Sequence, residues 1–132
     1  EFRRVLFRSL DFVEEAEFDR LGAFTYSPEE DTPAARMKDQ VPEEVKQERF
    51  DRLMSLQQRV SLRNNRNRVG TVEKVLVTDV GQNNSCLGRS SREAPETDGE
   101  IYFTAKRPPQ PGSFVQVRLT RAEPYDLFGE MI

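Results

Sequence analysis

The chain has 132 residues, with 20 Lys or Arg against 23 Asp or Glu, no histidine and a formal net charge of −3. That length bounds it to one domain plus a remainder or two very small domains, and the acidic balance argues against a general phosphate binder, because nucleic-acid affinity draws on surplus basic charge. Its one cysteine, Cys86, permits no internal disulfide and no Cys/His spacing for a zinc or iron–sulfur site, and no apolar run reaches the ~20 residues that cross a bilayer, so the expectation is a soluble, cytoplasmic protein without membrane contact.

Residues 1–9, EFRRVLFRS, make a basic, apolar leader. It is too short for a signal peptide and lacks both a small-residue cleavage site and an initiating methionine. Read back into codons, it resembles a sequencing adapter translated in frame. Residues 1–9 are therefore expected to be non-native, with the biological chain beginning near Leu10 as part of a longer one. From Leu10 to Phe18, apolar Leu10, Phe12, Val13 and Ala16 alternate with Glu14, Glu15 and Glu17, which predicts the last turns of an amphipathic helix. Residues Phe18 to Tyr26 read as a short strand stopped by Ser27-Pro28. Such a pair is half of an α/β crossover unit, and it has no sheet of its own to join.

Residues Ser27 to Gln40 hold Pro28, Pro33 and many charges, and read as a loop. A long helix is predicted from Pro42 to about Arg63, with Pro42 at its first position and Glu43 and Glu44 near the positive end of its dipole. Val45, Arg49, Leu53, Leu56 and Val60 share one face, widened by Phe50 and Met54. That face reads as core packing, a partner groove being the alternative. The exit, Arg59 to Arg68, has four arginines and no acid. Cations are favoured at a helix C-terminus; the alternative is a phosphate or RNA contact through Arg59, Arg63, Arg66 and Arg68.

After Arg68 the period changes from helical to alternating. Val69–Thr78, Cys86–Ser91, Ile101–Ala105, Phe114–Arg121 and Tyr125–Glu130 read as five short strands, with Val115, Val117 and Leu119 opposite Gln116, Arg118 and Thr120 in the fourth. Five short strands in about 65 residues bury their apolar faces most economically in a closed antiparallel barrel. The fold class is thus α+β: an α/β remnant of helix end, strand and long helix over residues 10–66, then a five-stranded antiparallel OB-like barrel over residues 67–132. Cys86 reads as a small packing residue inside it.

Between the second and third strands, Ala94-Pro95 and Asp98-Gly99 turn the chain twice. The stretch offers Arg89, Arg92, Glu96, Asp98 and Glu100 as partner-binding candidates, a mixed-charge loop suited to recognition rather than chemistry. No pair of carboxylates is marked by spacing for acid–base work. Residues 68–132 carry eight Lys or Arg against nine Asp or Glu, so this part is nearly neutral, and its acids can pair with the Lys and Arg of a basic protein.

Several segments carry a resemblance: Gly70-Thr71-Val72-Glu73, Gly88-Arg89-Ser90, Ala94-Pro95-Glu96-x-Asp98-Gly99, Gly112-x-Phe114-Val115-x-Val117 and Tyr125-Asp126-Leu127-Phe128-Gly129-Glu130. The short triplets are weak alone; the third and last segments together are specific. With them the chain resembles a TRAM domain, of the kind that ends the ribosomal-protein branch of the radical-SAM methylthiotransferase family. Upstream, Phe24-x-Tyr26-Ser27-Pro28-Glu29-Glu30-x-Thr32-Pro33-Ala34-Ala35 and Val41-Pro42-Glu43-Glu44-Val45 are similar to the end of that family's radical-SAM domain. Asp31 stands where that loop usually carries glycine. The likeness covers Leu10 to Glu130.

The resemblance implies a parent transferase that uses two 4Fe–4S clusters and S-adenosylmethionine to methylthiolate an aspartate of ribosomal protein S-twelve. The cluster-binding Cys-x-x-x-Cys-x-x-Cys signature is absent from this sequence. The expectation is therefore an inactive part that binds none of these cofactors and docks the substrate protein or the small ribosomal subunit, as a monomer, with RNA as a weaker contact. The alternatives are the tRNA-modifying branch of the same family and a free-standing OB-like RNA-binding protein.

Overall fold

The computed structural model describes residues 2–132, the side chains of Phe2, Arg3 and Val5 excepted. Two compact units result, residues 1–57 and 58–132, with the boundary inside a long helix.

In the first unit, helix α1 spans Phe2–Ala16. Half-buried Leu6 and Leu10 and buried Val13 lie at helical spacing, so the stripe expected from Leu10 onward continues back into the leader and lengthens the helix. Glu17, at φ 51, ends it. Residues 18–26 form no strand, which corrects the strand expected there. A strand exists through pairing, and among the described residues none lies beside this segment. It still alternates: Leu21, Ala23 and Thr25 are half-buried, while Phe18, Gly22, Phe24 and Tyr26 are exposed. Gln57 Nε2 donates to the Phe18 carbonyl at 2.8 Å and Lys46 Nζ to the Tyr26 carbonyl at 3.0 Å, so helix α2 pins both ends. In the loop that follows, Asp31 takes φ 64, a left-handed conformation that costs a side-chain-bearing residue about 1 kcal/mol relative to glycine.

Helix α2 spans Glu43–Arg68, and the Pro42 carbonyl accepts from Val45 and Lys46 N–H groups at 3.0 Å. Glu48 and Arg52, four residues apart on its exposed side, pair at 3.1 Å. The helix runs one turn beyond the expected exit and stops at Gly70, whose φ of 89 suits glycine. Its Arg68 carbonyl accepts from Thr71 N–H and Oγ1 at 3.1 and 2.6 Å.

The second unit is a closed barrel of β1 (Val72–Val80), β2 (Ser85–Arg89), β3 (Ile101–Thr104), β4 (Phe114–Ala122) and β5 (Leu127–Met131), ordered β1-β2-β3-β5-β4 and back to β1. Val75, Val77, Cys86, Ile101, Phe103, Ala105, Val117, Leu119 and Leu127 fill it. Burial there pushes the Cys86 thiol up. Every pairing is antiparallel except β3 with β5, which is parallel. This corrects the all-antiparallel expectation, and the reason is parity: strand directions cannot alternate all the way around a ring of five. Gly88 lets β2 approach β1, since a Cβ there would meet the Leu76 carbonyl oxygen and Val75 Cγ1 at 2.5 Å.

Candidate partner-docking site

The last three turns of α2 belong to the barrel unit, and they enter it through polar residues. Ser61, Asn65 and Arg68 fall at helical spacing and are all buried. Asn65 Nδ2 donates to the Glu123 and Pro124 carbonyls at 2.8 and 3.3 Å. Gly70 N–H donates to the Leu119 carbonyl at 2.7 Å, and Leu119 N–H returns a bond to Thr71 at 3.0 Å.

Arg68 ends this polar stripe and holds three parts of the chain together. Its Nε and Nη2 meet the two Glu73 oxygens at 3.0 and 2.6 Å, a bidentate fork. Its Nη1 donates to Glu93 Oε1 at 2.6 Å, and its Nη2 also reaches Ser90 Oγ at 3.1 Å. The second Glu93 oxygen accepts from Ser90 N–H at 2.8 Å and from Ser90 Oγ at 2.5 Å. The side chains of Arg68 and Glu93 are 4% and 2% exposed, so the pair is desolvated. Burial alone would push Glu93 up, but the bonds from Arg68 and Ser90 outweigh it and hold the carboxyl below its ordinary value. Burial would likewise lower Arg68; Glu73 and Glu93 raise it instead.

Arg68 is therefore a correction to the expected phosphate contacts. Its guanidinium is enclosed and bonded to two carboxylates, out of reach of a phosphate. Arg59, Arg63 and Arg66 are exposed on α2 at positions i, i+4 and i+7, along one face.

Beyond the clasp the loop folds on its own acids. Asp98 Oδ2 accepts from Ala94 N–H at 2.8 Å, and Asp98 N–H returns a bond to the Ala94 carbonyl at 3.2 Å. Glu96 takes φ 60 at the exposed tip. Asp126 Oδ1 accepts from Glu100 N–H at 2.9 Å. Four of the five candidates, Arg89, Glu96, Asp98 and Glu100, line a cavity of about 190 Å³ together with Thr78 and Gly88. Arg92 is exposed outside that lining. Asp98 has a structural task that its sequence context did not show.

The outer face of the barrel adds residues that sequence reading passed over. Tyr102 on β3 stacks on Phe128 of β5, ring centroids 5.4 Å apart at 18°. Arg121 of β4 lies over the same Phe128 ring at 3.6 Å and pairs with Glu123 at 2.7 Å. The signal was present in the period-two alternation, which sends Ile101, Phe103 and Leu127 inward and Tyr102 and Phe128 outward. Cubane clusters are held by cysteine thiolates, and this chain offers one, with its thiol in the barrel core. The residues present do not fit such a group.

The barrel and its loop belong to a known class: residues 69–132 match the TRAM domain family, so the barrel is a TRAM domain. Over most of its length the chain is similar to proteins named ribosomal protein uS12 methylthiotransferase RimO. It is 51% identical over 125 residues to that of Syntrophotalea carbinolica, 49% over 124 residues to that of Desulforamulus reducens and 51% over 125 residues to that of Geobacter sulfurreducens. The matches take in 92–93% of this chain and 27–28% of those proteins. The chain is thus similar to part of these proteins and spans about a quarter of their length.

Proposed function

We propose that this chain is the substrate-docking, C-terminal part of a radical-SAM methylthiotransferase that modifies an aspartate of ribosomal protein uS12. In this reading residues 10–66 are the end of the radical-SAM domain and residues 67–132 the TRAM domain, in a cytoplasmic, monomeric protein. The parent's two 4Fe–4S clusters and S-adenosylmethionine are held elsewhere, and the chain alone is inactive. The observation that carries the docking role is the charge balance around the loop. Residues 68–132 hold eight Lys or Arg and nine Asp or Glu. Setting aside buried Arg68 with Glu73 and Glu93 leaves seven of each, and no surplus cation remains to attract a phosphate backbone. A mixed surface of this kind selects a protein partner through paired charges. The exposed Arg59, Arg63 and Arg66 favour an accessory RNA contact as the second reading.

Binding measurements on the purified chain test this. Saturable binding to isolated uS12 is expected, with RNA binding that is weaker and falls more steeply as salt rises. Tight RNA binding with no affinity for uS12 would sink the docking role.

A further inference from the structure

The register of the barrel draws one row across its outer surface: Leu87 opposite Tyr102, Tyr102 opposite Phe128, and Phe128 opposite Arg121. Along the neighbouring row run Glu100, Asp126 and Glu123, joined by the Glu100–Asp126 bond and by Glu123 N–H donating to the Asp126 carbonyl at 2.9 Å. At one end of the aromatic row the protein satisfies itself, since Arg121 lies over the Phe128 ring and pairs with Glu123. At the other end stand the same components: the ring of Tyr102, 42% exposed, beside the carboxylates of Glu100 and Asp126. The charge of Asp126, partial burial, and the charges of Glu100 and Glu123 hold the Tyr102 phenol above its ordinary value. The basic groups around this face are Arg121, taken by Glu123; Arg118, opposite Glu130; and Arg89 at the end of β2.

We propose that the outer face of β3 and β5, centred on Tyr102, docks an arginine-bearing segment of a basic partner protein, one guanidinium lying on the Tyr102 ring and bonding to Glu100. This names the surface used in the docking role above and rests on that role. A planar guanidinium is favoured over an ammonium because it stacks and bonds at once. An RNA base could stack on the same ring, but its phosphates would then face Glu100, Asp126, Glu123 and Glu130.

The test titrates the isotope-labelled full chain with three probes: a synthetic Arg-Gly repeat peptide, the same peptide with citrulline for arginine, and poly-uridine. The arginine peptide should move the ring signals of Tyr102 and Phe128 and the amide of Glu100, and the citrulline peptide should not. Tyr102→Leu should weaken peptide binding about tenfold, while Tyr102→Phe, which keeps the ring, should stay within about threefold. The amide spectrum of each variant reports whether the barrel is intact. Unchanged affinity in Tyr102→Leu, shifts confined to another face, or a response to poly-uridine alone would overturn the proposal. Repeating the comparison with uS12 separates two failures. If uS12 binds Tyr102→Leu as tightly as wild type, the surface is wrong; if wild type ignores uS12 yet takes the arginine peptide at Tyr102, the docking role is wrong.

Discussion

Arg68 Nη1 meets Glu93 Oε1 at 2.6 Å across 25 residues of sequence, joining the last turn of α2 to the loop after β2 inside the protein. Glu93 immediately precedes the Ala94–Asp98 turn, so the acid that points inward sets where the outward ones stand. With Glu73 on β1 completing the fork, helix, first strand and recognition loop share one buried cation. The loop is thus tied at Glu93 to the helix and first strand even though Glu96 and its neighbours are solvated, an anchoring that would leave less to order in the docking proposed above.

Removing one member of this clasp leaves the others charged and buried. Arg68→Met should destabilise the barrel by about 3–5 kcal/mol, the range for a buried ion pair broken from one side. Arg68→Lys should cost about 1–3 kcal/mol, since an ammonium cannot reproduce the fork onto Glu73 while reaching Glu93. Glu93→Gln, which keeps the shape and an acceptor for Ser90, should cost less than Arg68→Met. Urea unfolding followed by far-UV dichroism measures all three, and near-wild-type stability in Arg68→Met would show that the clasp contributes nothing.

Acid should loosen the same point. The Glu93 carboxyl lies below its ordinary value in the folded chain, so its contribution is fully present above the unfolded value near 4.5 and is lost as pH falls through the lower folded one. Arg68 stays charged throughout this range and adds no slope. Stability measured from pH 6 downward should therefore fall more steeply in wild type than in Glu93→Gln; parallel curves would remove Glu93 as the cause.

The strands were readable because a barrel this small leaves each one a single apolar face, which the alternation at Val115, Val117 and Leu119 displays. The parallel β3–β5 seam follows from the odd strand count rather than from any residue. The buried polar residues were not readable: hydropathy places Ser61, Asn65 and Arg68 on the surface, and only their bonds to strand ends and loop carboxylates account for their burial. In the loop, Glu93 was one acid among several, with nothing local to separate it from Glu96 and Asp98. Residues 18–26 show the converse limit. Their period-two pattern is real, but pairing needs a neighbour, and Phe24 remains 92% exposed.

Gly99 tests how firmly the loop is seated. A Cβ added there would collide with the Tyr125 carbonyl oxygen and lie 2.8 Å from Asp126 Oδ1. Neither is the free end of a flexible side chain, because the Asp126 oxygen already accepts from Glu100. Gly99→Ala should therefore cost about 1–3 kcal/mol, and at roughly 4–8 °C per kcal/mol for a unit of this size the melting temperature should drop visibly. A melt superimposable on wild type would mean that the loop shifts without strain.

The arginine face of α2 separates the protein-docking and RNA-binding readings. Arg59, Arg63 and Arg66 are exposed on one side of the helix, away in sequence from Tyr102 and the recognition loop. If they touch phosphates, each contributes about 0.7–0.9 to the slope of log affinity against log salt. Changing all three to Gln should then lower the RNA slope by about 2. Binding of uS12 should stay within about twofold of wild type, because exposed charges distant from a contact change affinity little. Equal loss of both affinities would place the protein partner on the helix instead of the barrel, and an unchanged RNA slope would leave these arginines with no role beyond solvating α2.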